Sequence, residues 1–397
     1  MSKAPLVVEC RRALERIAES FHNSIVRFNG RLAWGQFLAG GTEQRGVYGT
    51  SAGIRALVQA GRPIDDPVIG LATEFMLDEY DRPDSKANQE HDFANNYKLA
   101  FFLEALSPDQ GILPDNSPHG GKFQQLFDRQ SNEGGWGDFY FADNDRSERP
   151  SIAATAFAIG ALSRFPRFRG SAKLNRAVTW LASEVSNKPD TPQPIIGLVL
   201  LSLARLPQGS DALKRAIEHL QKQVRSVLKR KPAPLTTSYV HFFDIHRKYH
   251  YLHMPWEVVA LLALIHSGDR RRSSRRARNW VRVIAQHIIQ RGGLVAAQTD
   301  RMSTVDSCWA ALLMQKVIDS GIRDPGCGLV ECALDPSQDW IKGLSIWLAL
   351  LLIGTAGLAI GYLSRNLLLV ISGGAASVVL LCLFVNLLTY YLQNLRK

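Results

Sequence analysis

Four histidines, His241, His246, His250 and His253, crowd the segment SYVHFFDIHRKYHYLHMPWE, and neutral imidazoles are common metal ligands. Their spacings of five, four and three bring only some ring nitrogens together on a helix, so an aromatic, partly buried connection is the simpler reading. Asp138, Asp143, Asp145 and Glu148 form a second cluster, with oxygen ligands spaced as a hard cation could use them. Arg146 and Arg149 stand beside them, as in an ordinary solvated charged loop. No Gly-rich phosphate loop, nucleophile elbow or His-Glu-x-x-His stretch occurs. What remains is a dispersed set of aromatics with a few polar groups: Tyr48, Tyr97, Trp136, His253, Trp256 and Asp306. Such a mixture lines an apolar ligand pocket, and it equally fills the centre of a packed ring of helices.

These residues can meet only if a repeated element carries them. The chain has 397 residues, 46% hydrophobic, which excludes a disordered chain, and its 5 cysteines exclude a disulfide scaffold. An apolar segment with small residues recurs as VYGTSAGIRAL, NYKLAFFLEAL, SIAATAFAIGAL, IIGLVLLSL, EVVALLAL and VDSCWAALLM, ending roughly every fifty residues from Leu57 to Met314. A segment with a single apolar stripe precedes each copy, as in Cys10, Leu14, Ile17, Phe21, Ile25, or Leu213, Ile217, Leu220, Val224. A one-stripe helix covers a core from outside, whereas a helix apolar nearly all round must be buried on several sides. Both patterns are satisfied by an all-α (α/α)6 toroid of six outer–inner hairpins over residues 1–320. An open solenoid would instead need polar caps at its two ends. In the toroid, Tyr48, Tyr97, His253, Trp256 and Asp306 fall at the starts of inner helices, and Trp136 in the turn before the third.

GGWGDF (Gly134–Phe139) followed by RPSIAATAFAIGALSRF resembles the squalene-cyclase-type repeat of terpenoid cyclases and protein prenyltransferases. RGVYGTSAGIRAL and RGGLVAAQTDRMSTVDSCWAALL are similar to the same unit, so the motif is specific in repeats one, three and six. The resemblance implies a toroid with a central cavity for isoprenoid-like ligands. It also implies catalytic positions, which are only partly filled. Cyclases of this kind protonate an alkene with an Asp-x-Asp-Asp-Thr-Ala segment; the matching positions here are Ser303, Val305, Asp306, Ser307 and Cys308, with one carboxylate, and in repeat three Ser151, Ala153, Ala154, Thr155 and Ala156, with none. Prenyltransferases hold zinc with an Asp-x-Cys segment and a later histidine. Asp306-Ser307-Cys308 resembles that segment, but no histidine follows His287, so His250 or His253 would have to substitute. A helix-capping Asp306 and a small buried Cys308 are the structural alternative. The acidic loop at Asp138–Glu148 is the nearest place for magnesium.

The formal net charge of +11 is concentrated in two stretches. Residues 211–231 and 269–282 hold fourteen Lys and Arg against three acids, including Arg225, Lys229, Arg230, Lys231, Arg270, Arg271, Arg272, Arg275 and Arg276. Phosphate contacts need only dense cations, so nucleic acid is one possible partner. An anionic leaflet, at about 1 kcal/mol per cation, is favoured because the chain also carries two uncharged apolar runs, 343–364 and 367–391. Each is long enough to cross roughly 30 Å of hydrocarbon, and Ser364-Arg365-Asn366 forces an antiparallel return. The sequence therefore predicts a two-helix transmembrane hairpin over 342–397, reached through a Gly/Pro-containing linker at 321–341. Lys342, Arg396 and Lys397 flank it against one Arg365 in the turn, and the first twenty residues do not read as a signal peptide. The expectation is a multi-pass protein of the inner, cytoplasmic membrane with both termini and the toroid in the cytoplasm. Gly354, Gly357, Gly361, Gly373 and Gly374 would suit self-association of the hairpin.

Two functional readings follow. In the first, the toroid is catalytically degenerate and binds or senses a lipid, an isoprenoid or a protein, with the hairpin as anchor or membrane effector; it requires no cofactor. In the second it is an isoprenoid-processing enzyme on a membrane-resident substrate. Asp306 would then be acid or metal ligand and Cys308 the thiolate, while Tyr48, Trp136 and Trp256 hold the apolar chain; zinc or magnesium enters only here.

Overall fold

The computed structural model describes residues 5–38, 45–89, 92–106, 120–141, 146–147, 149–207, 211–232, 238–245, 248–269, 271–295 and 301–322. The chain divides into two units, Met1–Ile322 and Arg323–Lys397. Residues 342–397, where the sequence predicts a membrane hairpin, and nearly all of the expected linker at 321–341 belong to the second and lie outside the described residues. Among the described residues no helix is long and apolar enough to cross a membrane.

The first unit is mostly helical. Its elements run α1 (Leu6–Asn23), β1 (Val26–Phe28), β2 (Arg31–Ala33), α2 (Val47–Gln59), α3 (Pro67–Asp81), α4 (Lys86–Gln89), α5 (Asn96–Leu106) and α6 (Gly120–Asp128). There follow β3 (Tyr140–Phe141), β4 (Arg146–Ser147), α7 (Ile152–Leu162), α8 (Pro166–Arg169), α9 (Ala172–Asn187), α10 (Gln193–Ala204) and α11 (Asp211–Val224). The last are β5 (Ser238–Ile245), β6 (Lys248–Pro255), α12 (Trp256–His266), α13 (Arg275–Arg291) and α14 (Thr304–Asp319).

The two segment types behave as their patterns require. In α9 the stripe Leu174, Ala177, Leu181, Val185 is buried while the opposite face is wet. In α7 every residue from Ala153 to Leu162 is buried, and in α12 every residue from Trp256 to Ile265. Each fully buried Val, Leu or Ile of these helices contributes about 1.5–3 kcal/mol of transfer free energy. The all-buried helices contact one another in order: α2 on α5, α5 on α7, α7 on α10, α10 on α12, α12 on α14, and α14 back on α2. Outside them, α1 packs against α13 as well as α14 and α2.

Repeats one, three and six share a hydrogen-bond clamp that fixes each inner helix on the turn before it. The backbone N–H of Trp34, Trp136 and Leu294 donates to the hydroxyl of Thr50, Thr155 and Ser307, at 3.1, 2.9 and 2.9 Å. Their carbonyls accept from the N–H of Gly46, Ser151 and Ser303, each four residues before its hydroxyl, at 3.1, 2.9 and 2.8 Å. The indoles of Trp34 and Trp136 donate to Phe21 O and Leu126 O, both at 2.7 Å, tying the turn to the preceding outer helix. Small residues are obligatory behind the clamp: a Cβ on Gly135 would come within 2.7 Å of Thr155 Oγ1, and one on Gly293 within 2.6 Å of Ser307 Oγ.

The same turns also grip the inner helix of the neighbouring repeat. In repeat three, Asn96 N–H donates to Asp138 O at 2.9 Å, Asn96 Nδ2 to Gly137 O at 2.8 Å, and Tyr140 N–H to Ala94 O at 2.9 Å. In repeat one, Thr304 N–H donates to Gln36 O at 3.0 Å, Thr304 Oγ1 to Gly35 O at 2.8 Å, and Leu38 N–H to Met302 O at 2.9 Å. Position for position, repeat one holds repeat six as repeat three holds repeat two.

Strands are the departure from the all-α expectation. Among the described residues three two-stranded antiparallel hairpins connect helices, and the longest of them, β5–β6, occupies the histidine-rich segment. Tyr, Val, Phe and Ile crowd that stretch, which suits a pleated ladder better than a helix. Its register places His253 opposite Val240, His241 opposite Leu252 and His250 opposite Phe243, so these three stand on two strands and not on one helical face; His246 lies outside the described residues.

Candidate functional site

The inner-helix starts bring some of the expected residues together. Tyr48, on the first turn of α2, sets its ring edge-on to Tyr97 at 6.0 Å and to Phe101 at 4.8 Å. Tyr97 continues to Phe157 at 5.9 Å, and Trp309 reaches Phe101 at 6.3 Å and Phe157 at 6.4 Å. Tyr48, Tyr97, Phe101, Phe157 and Trp309, from α2, α5, α7 and α14, thus form one packed cluster. Ring pairs of this geometry add about 0.5–1.5 kcal/mol each beyond their buried area.

Asp306 and Cys308 are fully buried beside this cluster. Burial pushes the Cys308 thiol up to about 11, against the pull of Arg55, which is the reverse of what a metal-binding or nucleophilic thiolate needs. The Tyr48 hydroxyl is buried without a hydrogen-bond partner among the described residues. Burial raises its pKa, and Asp306 and then Cys308 raise it further, so the phenol stays protonated. Asp306 is not the cap of α14: Ser303 is, its hydroxyl accepting from Asp306 N–H at 3.1 Å. Among the described residues no three of His, Cys, Asp and Glu converge as a metal would require.

Trp136 stands apart from the aromatic cluster, spending its N–H groups on the clamp described above. Trp256 is buried against α10, where a Cβ on Gly197 would touch its ring at 3.3 Å. For His253 only the strand position is described. In the acidic loop, Ser151 donates to Asp138, and burial pushes the Asp138 carboxyl up to about 6 against that hydrogen bond. Asp143 and Asp145 lie outside the described residues, as does Glu148.

A buried charge network below the aromatic cluster was not anticipated. Arg55, 2% exposed, reaches Glu104 Oε2 at 2.5 Å and lies over the Phe101 ring at 4.3 Å. Arg205 Nη1 meets Glu104 Oε1 at 2.7 Å, and Arg164 Nη2 stands 4.0 Å from Oε2. Burial works against the Glu104 charge, yet Arg55, then Arg205 and Arg164, outweigh it and hold the carboxyl at about 2. A signal existed: GIRAL and FLEAL each carry one charge inside an otherwise apolar inner segment, and a buried charge demands a partner.

The basic stretches are partly neutralised. Arg225 donates to Asp269 Oδ2 through Nε at 2.8 Å and Nη2 at 2.5 Å, and Arg230 pairs with Glu257 at 3.0 Å. Lys229, Lys231, Arg271, Arg275 and Arg276 are exposed and Arg272 half-buried, while Arg270 lies outside the described residues. Compared with known proteins, the chain matches no family model, and no curated protein matches it.

Proposed function

We propose that this chain is a membrane-anchored (α/α)6 toroid that binds or senses a ligand or partner and has lost the chemistry of the cyclases and prenyltransferases its repeats resemble. The observation that carries this reading is the state of Cys308 and its surroundings. Cys308, the thiol in the place of a prenyltransferase ligand, is fully buried and held protonated, beside a packed group of aromatic rings. The cyclic order of inner-helix contacts and the matched hydrogen bonds between repeats one and six support closure of the ring. The uncharged runs 343–364 and 367–391 support the anchor, and the exposed cations Lys229, Lys231, Arg271, Arg275 and Arg276 support apposition to an anionic leaflet.

The decisive experiment compares full-length protein with Asp306→Asn in two assays. One follows magnesium-dependent release of diphosphate from an allylic diphosphate, with bound zinc measured in parallel. The other follows flotation with vesicles containing anionic lipid. The expected result is no release, no zinc, and flotation unaffected by the substitution but lost when 342–397 is deleted. Diphosphate release abolished by Asp306→Asn would restore the enzyme reading, and unchanged flotation of the deletion variant would remove the anchor.

A further inference from the structure

At the other ends of the inner helices lies a cavity of about 180 Å³. It is bordered by the last turns of α2, α7, α10, α12 and α14, and its polar lining includes Arg164, Arg169, Arg205, His266, Lys316 and Asp319. Four permanent cations therefore face one rim carboxylate. Glu104, which pairs with two of these cations without lining the cavity, does not redress the balance, because it is shared by Arg55, Arg205 and Arg164. Lys316, half-buried, has no ion-pair partner among the described residues.

We infer that this cavity is a binding site for a compact phosphorylated anion, held by Lys316 together with Arg164, Arg169 and Arg205. Guanidinium forks and an ammonium are the groups that recognise phosphate oxygens, singly or in pairs. The volume equals about six waters at roughly 30 Å³ each, room for one or two phosphate groups. It is below the roughly 300 Å³ at which pockets begin to enclose drug-sized molecules, a size that suits a headgroup-sized anion. His266 contributes a neutral donor–acceptor and no charge: burial, then Arg205, Lys316 and Arg164, push its imidazole down to about 3. Part of the positive charge serves another purpose, since cations are favourable beside helix C-termini and Arg169 Nε donates to Ser163 O at 2.8 Å. That purpose does not need five helix ends to share one concave space. The inference uses only the described helices, so it stands or falls separately from the membrane anchor and from the loss of catalysis.

The test is calorimetric titration of inorganic diphosphate into full-length protein in neutral detergent, at ionic strength matched with chloride. Saturable binding is expected, weakened about tenfold or more by Lys316→Gln, the loss of one charge-assisted contact. Asp319→Asn, which removes the exposed rim carboxylate, should tighten it, and Lys229→Gln, on the outer surface, should leave it unchanged. No heat beyond the chloride control, or equal losses in Lys316→Gln and Lys229→Gln, would assign the cations to the helix ends alone. Micelles doped with phosphatidic acid identify the source: a lipid headgroup competes with diphosphate, whereas a soluble phosphorylated ligand implies no competition.

Discussion

At the scale of single residues, the interior of the first unit is defined by groups held in one protonation state. Cys308, raised to about 11, is a thiol at every physiological pH. It should therefore resist alkylation by iodoacetamide in the native protein at pH 8, and react only after denaturation. Rapid native labelling of Cys308, read by peptide mass, would contradict the burial on which its chemical silence rests. His266 and Glu104 couple stability to pH in the same direction. The folded His266 titrates at about 3 against an ordinary 6.5, so its contribution is full above 6.5 and fades as pH falls toward 3. Glu104, at about 2 against 4.5, loses its contribution over the lower window. Asp138, at about 6 against 3.8, opposes them: its contribution is complete below 3.8 and lost as pH rises through 6. His266→Gln should then flatten the decline between pH 6.5 and 4.5 in chemical denaturation. Glu104→Gln should cost about 3–5 kcal/mol at pH 7 by stranding buried guanidinium groups. A Glu104→Gln protein as stable as wild type would mean that the network is not buried.

At the scale of elements, the clamp explains both what was legible in the sequence and what was not. The inner segments were readable because Ala153 to Leu162 or Val258 to Ile265 are apolar without period, and only a helix buried all round accommodates that. Trp136 was readable as a repeat landmark but not as a structural wedge, since nothing in GGWGDF says that its N–H groups are spent on Thr155 and Leu126. Its counterpart Trp34 is less marked: Trp34-Gly35-Gln36-Phe37 carries the same Trp-Gly-x-Phe as Trp136–Phe139, but Leu32-Ala33 replaces the Gly-Gly of repeat three, and the contact with Thr50 is visible only in three dimensions. The β5–β6 ladder occupies a segment that reads as an aromatic connection between helices, and the Tyr, Val, Phe and Ile crowded there are the signal for strands. Arg55 and Glu104, each a single charge inside an apolar stretch, GIRAL and FLEAL, are pairable on physical grounds. The clamp makes a quantitative prediction. Thr50→Val, Thr155→Val and Ser307→Ala each leave a buried backbone N–H without its acceptor, and each should cost about 1–3 kcal/mol in urea denaturation. Gly53→Ala belongs with them, because its Cβ would lie 2.5 Å from the Trp34 ring. If Ser307→Ala were neutral while the other two were costly, repeat six would not share the device.

At the scale of the whole first unit, the question is whether its ends behave as ends. In a linear array of helical hairpins the terminal repeats have a neighbour on one side only and open first. Here the turn of repeat one and the start of α14 are joined by the same three hydrogen bonds that join repeats three and two, and α1 lies against α13 and α14. The amides of Leu38 and Thr304 are chemically equivalent in this respect to those of Tyr140 and Asn96. Hydrogen exchange of the full-length protein distinguishes the two architectures directly. In a closed ring the protection of Leu38 should match that of Tyr140, and Thr304 that of Asn96, within about tenfold, or roughly 1.4 kcal/mol of opening free energy. In a linear array both seam amides would exchange at the rate of a fraying terminus while Tyr140 and Asn96 stayed protected. Thr304→Val sharpens the comparison: it removes the 2.8 Å bond to Gly35 O, and in a ring it should raise exchange at Leu38 without exposing Tyr140, since the seam is one joint among six.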